Sequence, residues 1–112
     1  MSTATPEAPR LLSERRGRVL ILTISNPAAR NAMSPDLYRA GFPAIRDAGA
    51  DDRVGAIVLT GAGEHFCGGG NLNRLLAQRS LPASEQLAHL DALHDWVMAM
   101  RECPKPVIAA VE

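Results

Sequence analysis

Short apolar runs recur along the 112-residue chain, separated by stretches in which apolar residues have helical spacing. The runs predict strands at residues 18–25, 56–60 and 107–111. A further strand is predicted at 10–14, and it forms a hairpin with the strand at 18–25. The runs at 56–60 and 107–111 lack polar alternation, which is typical of parallel strands covered on both faces. The last run therefore favours a buried strand whose covering elements are missing, with a short edge strand as the alternative.

Two of the stretches with helical spacing begin with start patterns. Ser34-Pro35-Asp36 combines an N-cap residue, a proline at the first helical position and an acid in the first turn. This helix is expected to end near Gly49 and to be kinked or divided at Pro43. A short helix is predicted at 72–79. A longer one is predicted from Ser84 to Arg101, with an apolar side formed by Leu87, Leu90, Leu93, His94, Val97 and Met100.

Composition narrows the class of protein. Lysine plus arginine equals aspartate plus glutamate at 12 each, which gives no support for binding nucleic acid or a membrane surface.

Residues 1–10 are interpreted as a disordered tail rather than a secretory leader, and residues 11–112 as one domain. Cys67 and Cys103 match no metal or redox spacing, and His89 and His94 are not spaced as a metal-binding pair. We expect a cytoplasmic protein with reduced thiols and no metal.

The sequence FCGGGNL, residues 66–72, follows directly on the strand at 56–60. Three successive glycines suit a backbone that adopts left-handed torsions or that a ligand approaches closely. A strand that feeds such a turn can present amide N–H groups to an anion or an oxyanion. A Rossmann-like nucleotide site is an alternative, but Phe66 stands where the dinucleotide fingerprint places its third glycine.

Five segments in order resemble the enoyl-CoA hydratase/isomerase, or crotonase, superfamily. They are VLILTISNP at 19–27, RNAMS at 30–34, AIVLTGAG at 56–63, FCGGGNL at 66–72 and KPVIAAV at 105–111. The resemblance implies the N-terminal portion of a crotonase-like ββα spiral, an α/β fold, with residues 11–112 forming an incomplete domain.

The resemblance also implies a site. Gly70 occupies the position of the family's first oxyanion donor, whose N–H binds the thioester carbonyl as it becomes an enolate. No separate cofactor is implied, because coenzyme A arrives as part of an acyl-CoA or enoyl-CoA substrate. Asn71 replaces the family's usual aspartate. The implied CoA-binding residues are Arg30, Asn31, Ala32, Gly68, Gly69, Gly70, Asn71 and Leu72.

Several neighbouring residues have a plainer interpretation. Arg30 suits a CoA phosphate but equally suits an exposed loop. Glu64, His65 and Cys67 adjoin the turn, yet no partner at a recognised spacing would activate them, and we interpret them as ordinary surface or packing residues.

In the family, the second oxyanion donor and the acid/base carboxylates follow KPVIAAV, beyond Glu112. We therefore expect the isolated chain to be inactive. Complete members form homotrimers or hexamers. The alternatives are a non-catalytic acyl-CoA-binding or interaction fragment and the Rossmann-like nucleotide binder.

Overall fold

The computed structural model describes residues 8–69 and 76–111. The predicted alternation of strands and helices is confirmed in these ranges, and the fold is α/β. None of the helices in them is long and apolar enough to cross a bilayer. The elements are β1 (Arg10–Arg16), β2 (Val19–Ser25), a short 3-10 helix (Pro27–Ala29), α1 (Pro35–Ala50), β3 (Ala56–Gly61), α2 (Ala83–Glu102) and β4 (Val107–Ala109). Of the helix predicted at 72–79, residues 76–79 are described; residues 76–78 are helical, and residue 79 lies in a turn.

The strands form one sheet in the order β1-β2-β3-β4. β1 and β2 make the predicted antiparallel hairpin through Gly17, whose φ of 59° lies in the left-handed region. β2, β3 and β4 are parallel neighbours. Right-handed crossovers that step the same way across a sheet place their helices on one face. Accordingly, α1 and α2 pack against each other.

Coverage of the sheet differs from the sequence prediction. In β3, the buried side chains of Ile57 and Leu59 alternate with half-buried neighbours, because α1 and α2 cover the same face. β4 is a three-residue edge strand, and Ile108 is 52% exposed. In the described part of the chain, the two faces of β3 are therefore not equally covered, which differs from the prediction. The exposure of β4 fits the favoured interpretation, a strand whose covering elements are missing, as well as the edge-strand alternative.

Helix α1 begins as predicted, with the Ser34 hydroxyl accepting a hydrogen bond from the Leu37 N–H at 3.4 Å. It continues undivided through Pro43 and ends at Ala50. Just beyond it, the Lys105 ammonium donates to the carbonyl oxygen of Ala48 at 2.8 Å and to that of Asp51. A cation stabilises the carbonyl-rich end of a helix, so Lys105, two residues before β4, also holds the C-terminal end of α1.

Helix α2 buries a different face from the one predicted. Its buried residues are Ala92, Trp96 and Ala99. Trp96 packs onto Gly41 of α1 so closely that a Cβ at Gly41 would lie 2.2 Å from the Trp96 ring. The absence of a side chain at Gly41 allows this approach. Most of the predicted apolar side consequently faces outward. Leu87, Leu90, Leu93 and Val97 are exposed, whereas Met100 is half-buried and packs against the core.

The orientation of α2 can be tested by placing a charge on its exposed side and on its buried side. Leu90 is 58% exposed and Ala92 is 7% exposed. We expect Leu90→Glu to change the free energy of unfolding by at most about 0.5 kcal/mol, and Ala92→Glu to lower it by roughly 3 kcal/mol, because only the second buries a carboxylate. Urea unfolding of the two variants and the wild type measures both effects. Equal losses would contradict this packing of α2.

Candidate functional site

A crevice of about 390 Å³ lies beside the turn that follows β3. We call it the glycine-turn crevice. Ligands of α/β proteins commonly bind beyond the carboxyl ends of parallel strands, and residues that follow β3 and β4 meet here. The lining residues are Arg30, Glu64, His65, Phe66, Cys67, Gly68 and Val111.

The turn at residues 61–69 folds tightly because glycines remove side chains where backbone atoms crowd together. A Cβ at Gly61 would lie 2.0 Å from the carbonyl oxygen of His65 and 2.3 Å from that of Phe66. Side chains cannot occupy such positions without moving the backbone. Gly61 therefore allows the chain to return over the end of β3 and form one side of the crevice.

Further along the turn, Gly68 and Gly69 lie against the loop at residues 26–33. A Cβ at Gly68 would lie 3.0 Å from the Arg30 carbonyl oxygen. Gly69 has a φ of +83°, and its carbonyl oxygen accepts a hydrogen bond from the Met33 N–H at 3.0 Å. Its own N–H donates to the Cys67 sulfur at 3.4 Å. The glycines thus bring two segments that are distant in sequence into contact.

The loop contains two consecutive non-glycine residues in the left-handed region, Arg30 with φ 52° and Asn31 with φ 60°. Asparagine tolerates this conformation better than most residues, whereas arginine is strained by it. Hydrogen bonds inside the loop hold the conformation. The Asn31 N–H donates to the Asn26 carbonyl at 2.9 Å, and the Ala32 N–H donates to the Ala29 carbonyl at 2.9 Å.

The Asn31 side chain joins the loop to the turn. Its Nδ2 donates to the carbonyl oxygens of Ala62 at 2.8 Å and His65 at 2.6 Å. Its Oδ1 accepts from the Asn26 N–H at 2.9 Å. Within the loop, Asn26 Nδ2 donates to the Ala32 carbonyl at 2.8 Å. Both N–H donors of the Asn31 amide are therefore used inside the fold.

The predicted site residues separate into three groups. Arg30 and Gly68 line the crevice, and Gly69 adjoins them. Asn31 and Ala32 are buried, and their N–H groups are engaged within the loop. Gly70, Asn71 and Leu72 lie outside the described residues. The oxyanion role of Gly70 and the CoA-binding role of the whole set remain predictions.

The crevice also includes residues to which sequence reasoning gave little weight. Glu64, His65 and Cys67 line it, as does Val111, which follows β4. The convergence of parallel strand ends could have indicated Val111. The bridging role of Asn31 has no such pattern, because its carbonyl partners lie 31 and 34 residues away in sequence.

Comparison with known proteins identifies the family. The family model for enoyl-CoA hydratase/isomerase matches residues 14–112. The chain is 36% identical over 110 residues to enoyl-CoA hydratase EchA19 of Mycobacterium tuberculosis, a match that covers 97% of this chain and 41% of the relative. It is 33% identical to a peroxisomal Delta(3,5)-Delta(2,4)-dienoyl-CoA isomerase of Arabidopsis thaliana, over 83% of this chain and 37% of that protein.

The fold agrees with the sequence match. The crystal structure of an enoyl-CoA hydratase from Polaromonas sp. JS666 superposes with a TM-score of 0.87 at 45% identity, covering 91% of this chain and 40% of that one. The chain thus spans about 40% of the length of these relatives. The resemblance noted in the sequence is confirmed: this chain belongs to the enoyl-CoA hydratase/isomerase family and corresponds to an N-terminal part of the crotonase fold.

Proposed function

We propose that this chain supplies the acyl-CoA-binding part of a lyase or isomerase of the enoyl-CoA hydratase/isomerase type. The ligand is the thioester of an acyl-CoA or enoyl-CoA. The observation that carries the proposal is the contact between the glycine turn (residues 61–69) and the Arg30 loop (residues 26–33), which together line an open crevice at the carboxyl end of the parallel strands. Family membership identifies the class of ligand that such a crevice would hold.

The chemistry follows from a charge that develops on the thioester oxygen. When a proton leaves the carbon next to the carbonyl, or when water adds to the conjugated double bond, the carbonyl oxygen gains enolate character. A fixed backbone N–H stabilises that charge more in the transition state than in the ground state. We assign this donor to Gly70, which follows the described end of the turn, and we assign Arg30 to the phosphate groups of CoA.

We further propose that the 112-residue chain does not hydrate an enoyl-CoA by itself. It spans about 40% of its relatives, and the second oxyanion donor and the acid/base carboxylates would come from sequence that this chain does not contain. A complete protein would be a cytoplasmic homotrimer or hexamer acting in fatty acid metabolism.

Binding of a matched pair of ligands tests the oxyanion donor. One ligand is octanoyl-CoA, and the other is the S-octyl thioether of CoA, which lacks the carbonyl oxygen. We expect the wild-type chain to bind both in calorimetry, and Gly70→Pro, which has no N–H, to bind the thioester about fivefold to tenfold more weakly. Binding of the thioether should change less, because it has no oxygen for the donor.

The possible results separate the hypotheses. Equal effects of Gly70→Pro on both ligands would contradict the oxyanion role and favour a non-catalytic acyl-CoA-binding fragment. Binding of NAD without binding of either CoA ligand would favour the Rossmann-like nucleotide binder. Hydration of crotonyl-CoA by the purified chain would contradict its proposed inactivity.

A further inference from the structure

We propose that Asn31 is a positioning residue, whose buried side-chain amide holds the Arg30 loop against the glycine turn and so sets the shape of the glycine-turn crevice. This role differs from that of a ligand-binding residue, because both N–H donors and the oxygen of the Asn31 amide already bond to protein atoms. Its functional meaning rests on the proposed function, whereas its effect on the turn can be measured without any ligand.

The bridge acts at two points of the turn. The Asn31 Nδ2 atom donates to the carbonyl of Ala62 at 2.8 Å and to the carbonyl of His65 at 2.6 Å. These two residues stand just after the end of β3 and just before Phe66. One side chain therefore restrains both arms of the bend that Gly61 allows.

The same residue also orients Arg30. Asn31 is 3% exposed, and the chain reaches it through the left-handed torsions of Arg30. With its side chain and N–H both anchored, Asn31 fixes the backbone immediately after Arg30. Among the described residues, this loop makes one other hydrogen bond to the glycine segment, from the Met33 N–H to the Gly69 carbonyl oxygen. Loss of the Asn31 bridge should thus move Arg30 and the turn relative to each other.

Asparagine suits this bridge for a chemical reason. Its amide presents two donors and one acceptor in a plane, which matches two carbonyl oxygens on one side and the Asn26 N–H on the other. Aspartate has the same shape but, when ionised, only acceptors. Asn31→Asp would set a carboxylate against two carbonyl oxygens while leaving the side-chain volume unchanged.

Asn26→Asp is the matched control. Asn26 is also buried, but its Nδ2 bonds to Ala32 within the same loop and not to the glycine turn. Both variants should lower stability. Only Asn31→Asp should shift the backbone amide resonances of Gly61, Gly63 and Gly69 in ¹H–¹⁵N spectra, and only Asn31→Asp should weaken octanoyl-CoA binding by about fivefold or more at a temperature where both variants are folded.

The outcomes are distinct from those of the proposed function. If the glycine resonances move equally in both variants, or in neither, Asn31 has no special effect on the turn and the inference fails. If the wild type binds no acyl-CoA, the proposed function fails, but the resonances still test the positioning role. Should Asn31→Asp not fold, Asn31→Ser removes the bridge without burying a charge and is compared with Asn26→Ser by the same criteria.

Discussion

Gly61→Ala is expected to displace the glycine turn, abolish measurable acyl-CoA binding and lower the free energy of unfolding by roughly 3 kcal/mol or more. The new methyl carbon would lie 2.0 Å from the His65 carbonyl oxygen and 2.3 Å from that of Phe66. Both neighbours are backbone atoms, which cannot rotate away as a side chain can. Relief therefore requires movement of the segment that lines the crevice. Urea unfolding and calorimetric titration with octanoyl-CoA measure the two effects.

Gly63→Ala provides a control in the same turn. Gly63 has a φ of +70°, but a Cβ there would meet no atom within 4 Å. Alanine at Gly63 should therefore cost only about 1–2 kcal/mol of torsional strain, and the crevice should keep its shape. If the two variants were equally stable and bound acyl-CoA equally well, the close approach at Gly61 would not govern the turn.

The second large effect is expected at the crossing of the two helices. Gly41→Ala places a methyl carbon 2.2 Å from the buried ring of Trp96. Alanine has the higher helix propensity by about 1 kcal/mol, so propensity alone predicts a gain in stability. We expect overpacking to reverse that gain and to produce a net loss of about 2 kcal/mol or more, because the helices must separate or the indole must leave its position. Thermal and urea unfolding provide the measurement.

Two further variants attribute that loss to Trp96. Gly49→Ala lies in the same helix, where a Cβ would come no closer than 3.2 Å to the Pro104 ring, and it should stay within about 1 kcal/mol of the wild type. Trp96→Leu makes room at the crossing, so the double variant Gly41→Ala/Trp96→Leu should lose less stability than the sum of the two single changes. Strict additivity would show that the clash lies elsewhere.

The elements that the sequence predicted well are those with local causes. The start of α1 depends on Ser34 and Pro35, and the hairpin depends on Gly17, which adopts a positive φ. Each of these acts through its immediate neighbours, so a short window of sequence contains the cause. The glycine turn was predicted for the same reason.

The features that the sequence did not predict depend on distant partners. The buried face of α2 includes Trp96, which packs onto Gly41, a residue of another helix. Large leucines dominate a hydrophobic pattern, although the residues that α2 buries are Ala92, Trp96 and Ala99. The side-chain bridge of Asn31 likewise needs the return of the turn, more than thirty residues later. The buried face of α2 and the bonds of Asn31 depend on packing between distant segments. The spacing of residues within the helix or the loop therefore does not predict them.

The ammonium of Lys105, which bonds to the carbonyls at the end of α1, belongs to the sole lysine of the chain. A side-chain nitrogen whose N–H groups are held by two carbonyl oxygens is poorly placed to attack an electrophile. Reactive thioesters acylate free amines, so the one lysine side chain that could be damaged in this way is occupied in the native state. Covalent labelling of the Lys105 amine, located by peptide mapping so that the N-terminal amine is not counted, would consequently report the release of Lys105 from the end of α1.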